Sequence, residues 1–147
     1  MEPVEVEVRG VNVHKVTEQH VVLLKERGGD RVLPIWISAD SGHAIANHLA
    51  GIASERPMTH DLVVTLAAAL GGRFVRLVVH SLTPFEAGKP HGIFIAGLYV
   101  RAADGTEAAL DCRPSDGIAV AVRTGIPIFV SSEVFTRSAI PQGGSPA

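Results

Sequence analysis

Residues 111–116 read Asp-Cys-Arg-Pro-Ser-Asp, so two carboxylates flank one guanidinium within six positions. Alternation along a strand end brings Asp111 and Arg113 to one face, and Asp116 follows on the first turn of the next helix. Two carboxylates beside a helix N-terminus could hold a hard divalent cation through oxygen, with water completing the shell. Arg113 and the free N–H groups of the first helical turn could receive a phosphate. That is a half-site for metal-assisted phosphodiester hydrolysis, where a metal polarises a phosphoryl oxygen and acidifies a bound water. The same residues also read as structure. An Asp–Arg pair would lock the strand-to-helix turn, and Asp116 would complement the helix dipole.

A second grouping lies in residues 55–61, Glu-Arg-Pro-Met-Thr-His-Asp. His60 can act as a base or acid and Asp61 as its orienter, with Arg56 nearby. Neighbouring helical residues diverge by about 100°, so His60 and Asp61 cannot both point squarely into one site. The structural alternative is a capped helix start with a partly exposed histidine. A third set, His43, Asn47 and His48, falls on an earlier helix. His43 and Asn47 share a face, His43 and His48 do not, and no other residue completes a zinc site. These three read as a solvated helix face. Phosphate-binding glycine loops and the GxSxG nucleophile motif are absent from the sequence.

These groups need elements to position them. Alternation over 4–13 predicts a strand, and 20–27 and 31–38 predict two more, joined by a turn at Gly28-Gly29-Asp30. Pro34 points to an edge or a bulge in the third strand. A helix follows from about 40 to 52, with Ala44, Ile45, Leu49 and Ile52 on one face. The next helix has Thr59 as its N-cap and stops at Gly71-Gly72, with Leu62, Val63, Leu66 and Leu70 as its expected buried stripe. Strands near 73–83 and 92–102 are separated by a long connection, and Asp104-Gly105 turns the chain into a further strand ending near Cys112. A helix from Pro114 to Arg123, stopped by Gly125, leads to a short strand at 127–130. Residues 4–52 and 73–125 thus share one pattern, which predicts a duplicated βββα unit. The expected fold class is α+β, with helices packed on a largely antiparallel, curved or barrel-like sheet.

The chain has 147 residues, enough for one domain, here assigned to 1–136 with a flexible tail at 137–147. Thirteen Lys and Arg face fifteen Asp and Glu, for a net charge of −2. Strong phosphate-driven binding of nucleic acid is not expected from that balance. Ten of the thirteen cations are Arg, the better bidentate phosphate partner, although a GC-rich genome skews the choice the same way. The single cysteine excludes an internal disulfide and a multi-cysteine zinc site. No apolar run approaches the roughly 20 residues of a membrane helix. The opening MEPVEVEVRG lacks a basic segment followed by an apolar one, so a cytoplasmic location with no membrane association is expected.

The stretches LPIWISADSGHAI, RPMTHDL and DCRPSDGIAVAVRTGIPIFVSSEV together resemble the bifunctional nuclease domain family, over about residues 4–136. The resemblance implies a nuclease acting on both RNA and DNA and a homodimer, in which an edge strand such as the one holding Pro34 could pair. It points to His60, Asp61, Asp111, Arg113, Ser115 and Asp116 as site residues. In the enzyme so implied, Asp111 and Asp116 hold Mg²⁺ or Mn²⁺, and His60 with Asp61 supplies acid–base chemistry. Arg113 contacts the scissile phosphate, with Arg56 and Ser115 as further substrate contacts. Two departures stand out: Ser41-Gly42 where the family often has Glu-Ala, and Gly117 where it usually has Ala, a change expected to weaken the helix and loosen the site. The competing class is a non-catalytic module whose dimer recognises a protein or a small anionic ligand, which the net charge suits better.

Overall fold

The computed structural model describes residues 2–84 and 92–141. Strands β1 (Val4–Val13), β2 (His20–Glu26) and β3 (Arg31–Ile37) form one antiparallel meander, followed by α1 (Ala39–Leu49) and α2 (Thr59–Ala69). A second meander, β4 (Arg73–Leu82), β5 (Phe94–Arg101) and β6 (Glu107–Cys112), leads into α3 (Pro114–Thr124). The chain ends in β7 (Ile128–Val130), α4 (Ser132–Ser138) and β8 (Ile140–Pro141). The α+β class and the largely antiparallel pairing are as expected. Most of the connection between β4 and β5, and the last six residues of the expected tail, lie outside the described residues.

One eight-stranded sheet holds all strands, in the order β6-β5-β4-β7-β1-β2-β3-β8. The three-residue β7 joins the two meanders, running parallel to β4 and antiparallel to β1. The sheet is open, with β6 and β8 at its edges, so the barrel-like expectation is corrected. It does curl, because α4 packs against both β4 and β3, strands that three others separate. Phe135 of α4 is fully buried there, and the Arg31 guanidinium lies 4.8 Å from its ring centre. The segment after residue 136 is therefore not all tail: α4 runs to Ser138, and β8 pairs with Arg31 and Val32. Pro34, beyond the reach of β8, sits on an open edge where its missing N–H costs no ladder bond. The strand-strand-strand-helix order occurs twice, but the packing is not equivalent, since α1 buries three residues and α3 seven.

Helix α3 is specified at both ends. Pro114 occupies the first turn, Asp116 follows, and Gly125 closes the helix at φ +75°. Its Ile118, Ala119, Val120 and Ala121 enter the core with Leu77, Val79 and Val130. Gly117 marks a close approach: a Cβ there would meet the Leu77 side chain, which would have to shift. The glycine expected to loosen the site instead lets α3 sit tightly on β4. Gly42 has the same explanation, since its Cβ would lie 2.5 Å from the ring of the buried His20.

Helix α2 departs from expectation. Leu62, Val63, Leu66 and Leu70 do form a stripe, but they are 62, 36, 57 and 74% exposed. The face toward the protein carries His60, Asp61, Val64 and Ala67, none of them fully buried. Apolar residues surround this helix, so their periodicity cannot choose which side turns inward. No helix among the described residues is long and apolar enough to cross a membrane.

Candidate functional site

The first turns of α2 and α3 meet beside α1, around a cavity of about 540 Å³. Across it, His60 Nε2 lies 3.0 Å from Asp116 Oδ1. Arg113 Nε donates to Asp116 Oδ2 at 2.8 Å and its Nη2 donates to Oδ1 at 3.2 Å, a two-point grip on one carboxylate. The Arg113 side chain remains 67% exposed, while His60 is 14% and Asp116 34% exposed. Arg113 holds the Asp116 carboxyl below its usual range, against a desolvation that pushes it up, and the hydrogen bond from His60 adds to the lowering. An ionised carboxylate only accepts hydrogen bonds. His60 Nε2 is therefore assigned the hydrogen of this contact, which leaves Nδ1 as the ring nitrogen able to accept a proton.

Asp61, one residue on, lines the same cavity but takes different partners from His60. Its Oδ2 accepts from the Met58 backbone N–H at 2.8 Å, and its Oδ1 accepts from Arg123 Nε at 2.7 Å. Those two bonds, the backbone one first, lower its pKa. Met58, not Thr59, is the N-cap residue, and Asp61 closes the first turn of α2 from within. Arg123 also donates to the carbonyls of Ala119 and Ala44, so it ties α2, α3 and α1 together. Sequence reasoning marks Arg123 only as the last residue of its helix and misses this role. A signal exists: a lone cation at the end of an apolar helix, free to complement the helix dipole and any acid nearby.

The other expected residues are distributed differently. Asp111 is exposed on β6 opposite Gly97 and does not line the cavity. The pairing of Asp111 with Arg113 is replaced by the Arg113–Asp116 pair. Ser115 is 4% exposed and lines a different cavity. Arg56 is exposed on the connector before α2, outside the cavity lining. His43, Asn47 and His48 are exposed, as expected of a solvated face, yet they form the cavity wall opposite His60. Cys112 is not a nucleophile at neutral pH, because burial, with Asp116 and Asp111 nearby, pushes its thiol up to about 11.

The sequence pattern places a divalent cation on Asp111 and Asp116. Among the described residues, no three His, Cys, Asp or Glu side chains converge as metal ligands. Asp116, the one carboxylate facing both His60 and Arg113, is already engaged by both. Asp111, the other expected ligand, lies outside the cavity lining. What the arrangement offers by itself is an imidazole fixed by a carboxylate, next to an exposed guanidinium, a combination suited to moving a proton beside an anion.

Residues 22–143 match the bifunctional nuclease domain. Two similar proteins come from Mycobacterium tuberculosis: Uncharacterized protein MT1877 of strain CDC 1551 / Oshkosh and Uncharacterized protein Rv1829 of strain ATCC 25618 / H37Rv. Each is 38% identical over 137 residues, covering 92% of this chain and 76% of the relative.

Proposed function

The chain belongs to the bifunctional nuclease domain family, and on that premise we propose that it hydrolyses phosphodiester bonds of RNA and DNA. The observation that carries this reading is the His60–Asp116–Arg113 chain in a solvent-open cavity. Arg113, exposed and outward-facing, binds a non-bridging phosphate oxygen. His60 Nδ1 takes the proton of an attacking water as the new P–O bond forms. The bond to the leaving oxygen breaks, and solvent protonates that oxygen. Asp116 keeps the imidazole in the required tautomer, the positioning role of the third member of a catalytic triad. Contacts made through phosphate rather than base edges carry little sequence information, so low sequence preference is expected.

The partner proposed is a second copy of this chain, docked through the outer face of α2. Leu62, Val63, Leu66 and Leu70 expose on the order of 400 Å² of apolar surface, as much as the largest patch of a typical monomer. That is about half of what each partner contributes to a standard interface. That outer face of α2 carries no charged side chain to select a different partner.

A second reading, a non-catalytic module that recognises a protein or a small anionic ligand, is favoured by one observation: Asp116 already accepts from two donor nitrogens of Arg113, as in a pair that only closes the helix start. Incubation with single-stranded RNA and with plasmid DNA, in Mg²⁺, Mn²⁺ or chelator, separates the two. Wild type should cleave, His60→Ala and Asp116→Asn of verified fold should not, and Asp111→Asn should cleave like wild type. Cleavage that requires a metal and is lost with Asp111→Asn restores the expected Asp111–Asp116 metal site. No cleavage under any condition leaves the binding module.

A further inference from the structure

Arg113 also lines a second cavity, of about 500 Å³, walled by the end of β3, by β4 and the start of β5, and by the first residues of α3. Its volume falls within the roughly 300–1,000 Å³ typical of small-molecule sites. Its chemistry differs sharply from that of the first. Trp36 and Phe94 contribute aromatic rings, Leu82 and Ile93 aliphatic surface, and Arg113 is the one charged residue of the lining among the described residues. Trp36 is half-buried on the stretch of β3 that β8 leaves open, so its ring is neither lost in the core nor free on the surface. A flat, apolar group with an anion at one end matches such a lining: the ring lies against Trp36 and Phe94, and the anion meets Arg113.

We propose that this cavity is a nucleotide slot, which takes an unpaired base against Trp36 and Phe94 and presents its phosphate to Arg113. The proposal deepens the nuclease reading and rests on it for the purpose of the slot, since Arg113 is shared with the cavity of His60 and Asp116. The preferred substrate is then single-stranded nucleic acid. A base inside a duplex has both faces stacked and cannot enter without being extruded.

Trp36 is the only tryptophan of the chain, so its fluorescence reports on the slot alone. Titration with adenosine monophosphate should quench it saturably, adenosine should do so more weakly, and inorganic phosphate should leave it unchanged. Arg113→Gln should weaken the monophosphate about tenfold, the scale of one charge-assisted hydrogen bond, and leave adenosine unaltered. Equilibrium dialysis with the same nucleotide provides a readout independent of fluorescence, and there Trp36→Leu of verified fold should retain none. A single-stranded oligonucleotide should compete, and a blunt duplex of the same sequence should not. The slot is overturned if the monophosphate neither quenches nor is retained, if phosphate alone acts as well, or if the duplex competes equally. Nucleotide bound by a protein that cleaves nothing would retire the nuclease reading alone; cleavage with no nucleotide at Trp36 would retire the slot alone.

Discussion

Helices α2 and α3 have eleven residues each and lie against one another, yet the fold uses them in opposite ways. α3 buries seven residues, and α2, the more apolar of the two in sequence, buries none. α3 is gripped along its length by the sheet, closely enough that a Cβ at position 117 would displace the Leu77 side chain. α2 is held mainly at its first turn, by His60 to Asp116 and by Asp61 to Arg123, with Val64 and Ala67 half-buried beneath it. Its polar residues turn inward and its leucines outward, the reverse of an ordinary surface helix. Total apolar content therefore does not decide which helix makes core. What decides is whether the apolar residues are confined to one side and whether a complementary surface faces them.

The largest expected effect tests that contrast directly. Ile118→Ala removes a fully buried side chain and should cost about 2–5 kcal/mol in urea unfolding. Leu66→Ala, the same kind of truncation on α2, should stay within about 0.5 kcal/mol when measured on dilute protein. Equal losses at the two positions would mean that α2 is a core helix after all.

Next in size is the tie between the helices. Arg123→Leu keeps the alkyl bulk but leaves Asp61 and the Ala44 carbonyl without their donor. A loss on the order of 2 kcal/mol is expected, below that of a fully buried pair because Asp61 is about one-third exposed. Cleavage should fall too, because the turn that Asp61 closes also carries His60. A variant of unchanged stability would show that α2 is held by something other than its polar first turn.

Much of this fold is legible in the amino-acid sequence alone. β1 to β6 announce themselves by alternation and turn residues, and α3 by proline, acid and glycine at the right places. The site is half legible. The polar residues at two helix starts are visible there, but their partners are not, because Asp116 reaches His60 across 56 positions and Asp61 reaches Arg123 across 62. Nothing in a local pattern sets a pairing between separate elements. Asp111 misleads for a related reason: alternation indicates its face of the strand, not the distance from that face to the cavity. Closure of the sheet is not readable because β7 inserts between the meanders, so consecutive order along the chain ceases to be order in the sheet. Of the segment assigned to a tail, residues 137–141 instead finish α4 and form β8, because the buried side chains of Val134 and Phe135 hold α4 down.

A smaller effect should appear with acid. Asp61 is lowered by the Met58 N–H and by Arg123, and Asp116 by Arg113 and then by His60, partly offset by desolvation. A carboxyl whose folded pKa lies below its unfolded value of about 3.9 stabilises the fold above that pH, and the contribution fades as pH falls through the folded value. Thermal unfolding should thus drop in temperature between about pH 5 and about pH 3. Asp61→Asn and Asp116→Asn should each flatten that slope, additively if the two ties are independent. A slope unchanged in both variants would remove the polar account of how α2 is held.

The smallest effect on folding should come from the change that looks most drastic. Leu66→Glu places a charge in the middle of the apolar stripe, yet the residue is already more than half exposed in the single chain. Monomer stability should move by no more than about 0.5 kcal/mol, as for other surface substitutions. Its consequence should appear instead in mass. The wild type should sediment as a dimer at micromolar concentration, and the variant as a monomer, because burying an unpaired carboxylate against a second α2 costs more than the stripe returns. Leu110→Glu, at an exposed leucine on the β6 edge, is the control that should leave the dimer intact. A dimer that survives Leu66→Glu and dissociates with Leu110→Glu would move the interface to the sheet edge. The stripe on α2 would then be exposed in the assembled protein as well, and the contrast between the two helices would lose its explanation.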